Sequence, residues 1–270
     1  MKSSGEPEIT GAVSAPRATR RVLVRRPVDS LAEGQITHIE RVAIDLDLAR
    51  QQWAGYVEAL RAEEWAATEV EPAPDQPDSV FIEDAVVLFG DTAVLTSPGA
   101  PSRRGETRGA EAALAGLGLT VHRLELPGTL EGGDVLKVGR TVYVGQTLRT
   151  NAEGLRQLAA IVEPIGYSVV AVPVTRALHL KTAVTALPDG TVIGYPPLVD
   201  DPALFDRFLA VPEAEGTAVV VLDEHSVLMS SSAPQTAALL TELGYRVVTV
   251  DVTEFEKLEG CVTCLSVRVR

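Results

Sequence analysis

VFIEDAVVLFGDTAVLT, residues 80–96, is two short apolar runs set around Gly90-Asp91, and a Gly-Asp pair between β-forming runs signals a hairpin. The phrase returns as GGDVLKVGRTVYVG at 132–145 and as TAVTALPDGTVIGY at 182–195, where Pro-Asp-Gly makes the turn. With Asp84, Asp134 and Ala183 as equivalent points, the hairpins stand 50 and 49 residues apart. A period of that size is the mark of a repeat architecture in which each unit covers its neighbour's core.

Working outward, each hairpin is followed by a helical pattern and a further strand. A helix from about Arg103 to Leu117 follows Pro101-Ser102 and stops at Gly118, in keeping with cap preferences. It leads to strand TVHRLEL (120–126). Helix Asn151–Val162 leads to SVVAVPV (168–174), and a helix over Pro202–Leu209 leads to AVVVL (218–222). SVLMS (226–230) precedes helix Ala233–Leu243 and strand YRVVTVDV (245–252). Strand RVLVRR (21–26), a long helical pattern near 45–66 and the C-terminal CVTCLSVRVR complete the series. Counting gives five α/β units, the fifth closed by the N-terminal strand joining the C-terminal one. Strand–hairpin–helix repeats that close on themselves form a ring around a central channel. The alternative is an open doubly wound sheet, but hairpins demand antiparallel pairing and no G-x-G-x-x-G turn is present.

Composition narrows the partners. The 270 residues carry 24 Lys+Arg against 37 Asp+Glu, a formal charge of −13 with a pI near 4.8. That excludes nucleic acid as the expected partner, because no cationic surplus is available to displace phosphate counterions. It suits a small cationic ligand, although acidity also serves solubility alone. No run approaches the roughly 20 apolar residues of a membrane helix, so no membrane partner is expected. Residues 1–20 lack an apolar signal region and read as a disordered tail, with one domain over 21–270. Two cysteines, Cys261 and Cys264, make no disulfide framework, and a cytoplasmic, reducing setting is the simplest expectation. A homodimer is left open.

Several side chains could carry chemistry. Asp78, Glu83 and Asp84 in PDSVFIED, and Glu131 and Asp134 in LEGGDVL, stand beside apolar runs where strands begin. Turn chemistry accounts for any one of them, whereas a set of carboxylates among apolar residues is costly unless paired. Arg103 and Arg104 open a helix and Arg149 precedes one; they read by default as solvated arginines, although a cation against the helix dipole invites an anionic partner such as a bidentate carboxylate. His38, His122 and His225 read as surface residues. His179 lies between Leu178 and Leu180 at a strand–hairpin junction, and is either a core histidine or an acid/base group. Cys264 opens the last strand. A buried cysteine is often only a small hydrophobe, and a redox C-x-x-C favours a helix start over the β-formers found here. A strand-borne thiol with a histidine on a neighbouring repeat also fits a Cys–His nucleophile. No metal-ligand spacing or phosphate loop appears, so no cofactor is expected.

PDSVFIEDAVV, SPGAPSRR, LEGGDVL, GQTLRTN, LHLKT and GCVTCLSV resemble the dimethylarginine dimethylaminohydrolases, over essentially all of the chain beyond the tail. LEGGDV and the terminal cysteine are common to the wider guanidino-modifying superfamily, while PGAPSRR with GxxxRTN is narrower. The resemblance implies a five-bladed α/β-propeller, the pentein fold, and hydrolysis of N-ω-methylated arginine to citrulline and methylamine or dimethylamine. It implies Cys264 as nucleophile, His179 as general acid/base and Glu131 as the group that orients the imidazole and touches the guanidinium. Asp84 would grip the guanidinium with Glu83 beside it. Arg103 and Arg149 would bind the α-carboxylate and Asp78 the α-ammonium, with backbone near Ile36 and Leu258 closing over that end. The family does not require Cys261, and it often has Leu where this chain has Ile36. Two alternatives stay open: the same chemistry on arginine or another substituted arginine, or a non-catalytic binding ring.

Overall fold

The computed structural model describes residues 20–269, so the expected disordered tail lies, except for Arg20, outside the described residues. Five three-stranded sheets are formed. In the first, β1 (Arg21–Arg25) runs antiparallel to β15 (Ser266–Val269) and parallel to β2 (Ala66–Val70), with Arg21 opposite both Val269 and Ala66. The second holds β3 (Val86–Phe89), β4 (Thr92–Leu95) and β5 (Thr120–Arg123). The third holds β6 (Val135–Val138), β7 (Thr141–Gln146) and β8 (Ser168–Pro173). The fourth holds β9 (Val184–Ala186), β10 (Val192–Gly194) and β11 (Phe208–Ala210). The fifth holds β12 (Val219–Val221), β13 (Ser226–Ser230) and β14 (Arg246–Val250).

Every sheet has one antiparallel and one parallel pairing. The physical reason is connection length. A hairpin closes through a short turn, whereas a parallel neighbour needs a crossover long enough to return the chain. Four crossovers carry helices, α1 (Leu46–Ala62), α2 (Thr107–Leu114), α3 (Ala152–Val162) and, after the short α4 (Leu180–Ala183) ahead of β9, α5 (Pro234–Glu242), while the fourth sheet crosses through 3-10 turns at Pro196–Leu198 and Pro202–Leu204. A further short helix, α6 (Thr253–Glu256), precedes β15. Local caps set helix starts. Asp45 accepts the Leu48 N–H at the start of α1, and Asn151 accepts the Gly154 N–H at the start of α3.

Strand alternation closes the ring. Successive side chains point to opposite faces, so each sheet divides its apolar residues between two neighbours. Leu23 and Val267 pack with Val86 and Leu88, whereas Val22 and Val24 pack with Val220 and Leu228. Val87 and Phe89 meet Val135 and Val142, and Leu136 meets Val184 and Val192. Ile193 meets Val219 and Val227. The five buried clusters thus occupy the five interfaces between sheets. Residues of β3, β6, β9, β12 and β15 together line one axial cavity of about 210 Å3. The fold is the pentein propeller around a channel, as expected.

Four boundaries differ from expectation. The Pro202–Leu209 helix is instead a 3-10 turn over Pro202–Leu204 followed by β11, because the fourth sheet recruits 208–210 as its parallel strand. The 45–66 helix ends at Ala62, and Ala66–Val70 pairs with β1. Residues 101–106 form a 3-10 turn and α2 begins only at Thr107, ending at Leu114. The 80–96 hairpin begins at Val86, since 77–80 and 82–85 are 3-10 turns.

Candidate active site

The residues that precede the inner strands gather at one end of the ring. Asp84 stands two residues before β3, Gly133 two before β6 and Cys264 two before β15. Cys264 is therefore on a turn leading into the last strand rather than on the strand itself. His179 caps the start of α4 ahead of β9. Cys264 and His179 line one cleft together with Asp78, Asp84, Arg103, Arg149 and Leu258. The thiol and the imidazole thus face a common space of about 310 Å3, mouth included.

The two glycines of LEGGD make this convergence possible. A Cβ on Gly132 would collide with the Glu83 carbonyl oxygen, where the second and third sheets touch. A Cβ on Gly133 would lie 2.6 Å from His179 Nδ1 and 2.8 Å from Asp84 Oδ1. Lacking that atom, Gly133 donates its N–H to Asp84 Oδ1 at 2.8 Å. Asp134 works behind the cleft. It accepts the Leu180 N–H at 2.9 Å and the hydroxyls of Thr147 at 2.8 Å and Thr150 at 2.6 Å, fixing the turn that carries His179.

Glu131, fully buried, bonds His179 Nε2 at 2.8 Å. Burial disfavours the imidazolium, but Asp84, Asp134 and the bond to Glu131 outweigh it and lift the His179 pKa to about 9. Burial likewise opposes ionisation of Glu131, yet the His179 bond with Arg103 and Arg149 holds its carboxyl well below the usual range. The pair is an ion pair at neutral pH, with Nδ1 as the ring nitrogen not engaged by Glu131. The Cys264 thiol is pushed well up, first by its hydrogen bond with Cys261 and then by burial and nearby carboxylates. The free protein thus favours the thiol at Cys264, and a cation arriving beside it would favour the thiolate.

Arg103 found its bidentate carboxylate within the chain. Glu106 receives Nε at 3.0 Å and Nη2 at 2.9 Å, while Nη1 reaches Asp84 at 2.8 Å and Glu131 at 3.4 Å. Arg149 Nη1 reaches Glu131 at 3.3 Å. Both guanidinium groups therefore converge on the carboxylate that also holds His179. Ligand atoms of Asp84, Glu131 and His179 lie within 4.8 Å of one another, a spacing a metal could use. Arg103 Nη1 already bonds both carboxylates, so a cation stands at that position.

Two expected residues lie elsewhere. Glu83 lines the axial cavity, paired with Lys181 at 2.6 Å and Arg268 at 3.6 Å. Consecutive residues on a tight turn diverge, which is why Asp84 enters the cleft and Glu83 leaves it. Ile36 packs against the cluster shared by the first and fifth sheets; its neighbour Gln35 lines the cleft and gives its N–H to Asp78 at 3.1 Å. Glu259 also lines the cleft, without a motif that marks it. Its carboxylate accepts the Thr37 and His38 N–H groups at 2.5 and 2.9 Å, fastening the 35–38 loop over the site. An exposed-looking acidic residue gives no sequence signal of that role. His38, His122 and His225 are exposed, as expected.

No family model matches the chain. It is 60% identical over 252 residues to the N(G),N(G)-dimethylarginine dimethylaminohydrolase of Streptomyces coelicolor, covering 93% of this chain and 98% of that protein. A solved dimethylarginine dimethylaminohydrolase of Pseudomonas aeruginosa, a cysteine-to-serine variant complexed with citrulline, matches with a TM-score of 0.84 at 36% identity. That match covers 92% of this chain and 98% of the other. A histidine-to-glycine dimethylarginine dimethylaminohydrolase, as an adduct with S-methyl-L-thiocitrulline, matches with a TM-score of 0.86 at 34% identity over 93% and 100% of the two chains.

Proposed function

The chain belongs to the dimethylarginine dimethylaminohydrolase family, and from that premise we propose how its cleft hydrolyses N-ω-methylated arginine to citrulline and methylamine or dimethylamine. The observation that carries the assignment of roles is the meeting of Cys264, His179 and Asp84 in one cleft, with the buried Glu131 bonded to His179 behind it.

A guanidinium carbon is a poor electrophile because the cation is delocalised. Asp84 and Glu131 grip its planar N–H fork and hold it protonated against Cys264. The incoming cation opposes the Cys261 hydrogen bond and the burial that otherwise hold the thiol neutral, and stabilises the thiolate. Sulfur attacks the central carbon and forms a C–S bond. His179, charged at neutral pH, gives its Nδ1 proton to the departing methylated nitrogen as the C–N bond breaks. The neutral imidazole then takes a proton from water, whose oxygen attacks the thiouronium carbon. The C–S bond breaks, citrulline leaves and Cys264 recovers its proton. Arg149 serves the α-carboxylate, joined by Arg103 once the substrate guanidinium displaces its Nη1 from Asp84 and Glu131, and Asp78 serves the α-ammonium, while backbone near Ile36 and Leu258 closes that end. None of these steps calls on a metal or an organic cofactor.

Converting Cys264→Ser should abolish turnover and labelling by a thiol-directed amidine while the protein stays folded; persisting turnover would sink the assignment. Citrulline and amine release should be measured on asymmetric dimethylarginine, monomethylarginine, arginine and agmatine. Preference for arginine would replace the methylated substrate, and preference for agmatine, which lacks a carboxylate, would show that Arg103 and Arg149 are misassigned.

A further inference from the structure

Cys261 is a thiol the hydrolytic steps do not use, yet its Sγ lies 3.3 Å from Cys264 Sγ. The backbone explains the approach. Cys264 N–H donates to the Cys261 carbonyl at 3.1 Å, so residues 261–264 form one hydrogen-bonded turn. A four-residue turn keeps its end Cα atoms within about 7 Å, which overlaps the roughly 4.4–6.8 Å span a disulfide bridges. Side-chain rotation alone can therefore bring the sulfurs together, without unwinding the segment that leads into β15.

The two thiols also differ in the manner of a reactive and a resolving cysteine. Cys261 is half-buried, whereas Cys264 is buried at the cleft. The hydrogen bond from Cys264 is the chief reason the Cys261 thiol is lowered, with burial opposing and Thr263 Oγ1, 3.2 Å away, assisting. The same bond pushes Cys264 up. A half-buried thiol 3.3 Å from a buried one is the arrangement in which the outer sulfur meets a small disulfide first and the inner one resolves it.

We propose that Cys261 is a redox modification site that reacts with low-molecular-weight disulfides and closes onto Cys264, switching the hydrolase off reversibly. The Cys261 thiolate attacks one sulfur of the disulfide R–S–S–R, forming a mixed disulfide and releasing R–S⁻. Cys264 then attacks the Cys261 sulfur, its proton passing to solvent, and a second R–S⁻ leaves. Two protein thiols are oxidised and one small disulfide is reduced to two thiols, so the electrons balance. The loss of turnover rests on Cys264 being the nucleophile; the bond itself does not.

Oxidised glutathione is the probe, applied to the full chain of the parent protein and of Cys261→Ser. Peptide mapping should find the 261–264 disulfide in the parent, with loss of citrulline formation and recovery on adding dithiothreitol. Cys261→Ser should keep reduced activity within about threefold and lose it at least about tenfold more slowly under oxidised glutathione, because the remaining thiol is buried. Absence of the 261–264 disulfide, or equal inactivation rates for parent and variant, would overturn the proposal. A disulfide that forms while turnover continues would also overturn the switch. If reduced Cys264→Ser turned over as well, the nucleophile assignment would fall with it; if that variant were inactive, only the switch would fall.

Discussion

Gly133→Ala tests whether the second glycine of LEGGD is there for space. Gly133 does not adopt a left-handed φ, so the backbone itself would accept alanine. The new Cβ, however, would stand 2.6 Å from His179 Nδ1 and 2.8 Å from both His179 Cγ and Asp84 Oδ1. Ordinary contact needs about 3.4 Å or more, so something must yield by roughly 0.8 Å. The side chains have little freedom. His179 is held at 2.8 Å by Glu131, and Asp84 is held by Arg103 and by the N–H of Gly133 itself, each at 2.8 Å. Either the imidazole leaves Glu131 or the 132–134 turn retreats and drops Asp84. A misplacement near 1 Å in a reacting constellation costs on the order of 100-fold, and overpacking of this kind costs about 1–3 kcal/mol of stability. Citrulline release by Gly133→Ala should thus show kcat/KM about 100-fold below the parent, with the fall mainly in kcat, while circular dichroism stays native. A folded variant within threefold of the parent would refute the steric reasoning and the close His179–Gly133 approach with it.

Gly55→Ala is the converse case: the site lies exposed on α1 with nothing within 4 Å of the added Cβ. It should raise stability by about 0.5–1 kcal/mol, read as a higher Tm with unchanged kcat. Glu131→Gln removes the anion bonded to His179, so the alkaline limb of kcat, expected near the His179 pKa of about 9, should move to lower pH; an unmoved limb would assign it to another group. The same raised pKa links to stability. His179 binds its proton more tightly folded than unfolded, so its contribution is complete below the unfolded value of 6.5 and is lost as pH rises through about 9. Tm measured across that window should fall in the parent and fall less in Glu131→Gln.

How much of this was legible in the sequence depends on the range of the interaction involved. Hairpins are local, so the regular spacing of the second, third and fourth units was readable, and the inner strands indeed start 49 residues apart at Val86, Val135 and Val184. The 202–209 segment was misread because PALFDRFL supports a helical spacing as well as a turn and strand. Pairing with β10, and the packing of Phe205 on Tyr143 at 5.1 Å, decided it from outside the segment. AATEV (66–70) is poor in β-formers and is a strand because β1 offers it a partner. Residue chemistry pointed to Asp84, Glu131, His179 and Cys264. It could not give the side of the ring, and so placed Glu83 beside Asp84 when the turn sends it to Lys181. Nor could it show that Glu106, three residues beyond Arg103, supplies the bidentate carboxylate.

The separation of these groups along the chain explains why the site needs a closed ring. Asp84, Glu131, His179 and Cys264 precede inner strands of four different sheets, and no two of them are joined by a local turn. Glu131 meets His179 only because the third and fourth sheets pack through Leu136, Val184 and Val192. Cys264 reaches the second sheet through its carbonyl, which accepts the Glu83 N–H at 3.2 Å, and it is held there by β15 pairing with β1 from the far end of the chain. An open sheet could carry the same residues in the same order without bringing the first and last units together. The apolar alternation that splits each sheet between two neighbours is therefore what sets the geometry of the thiol, and the buried charges can be tolerated because closure delivers each one to its partner.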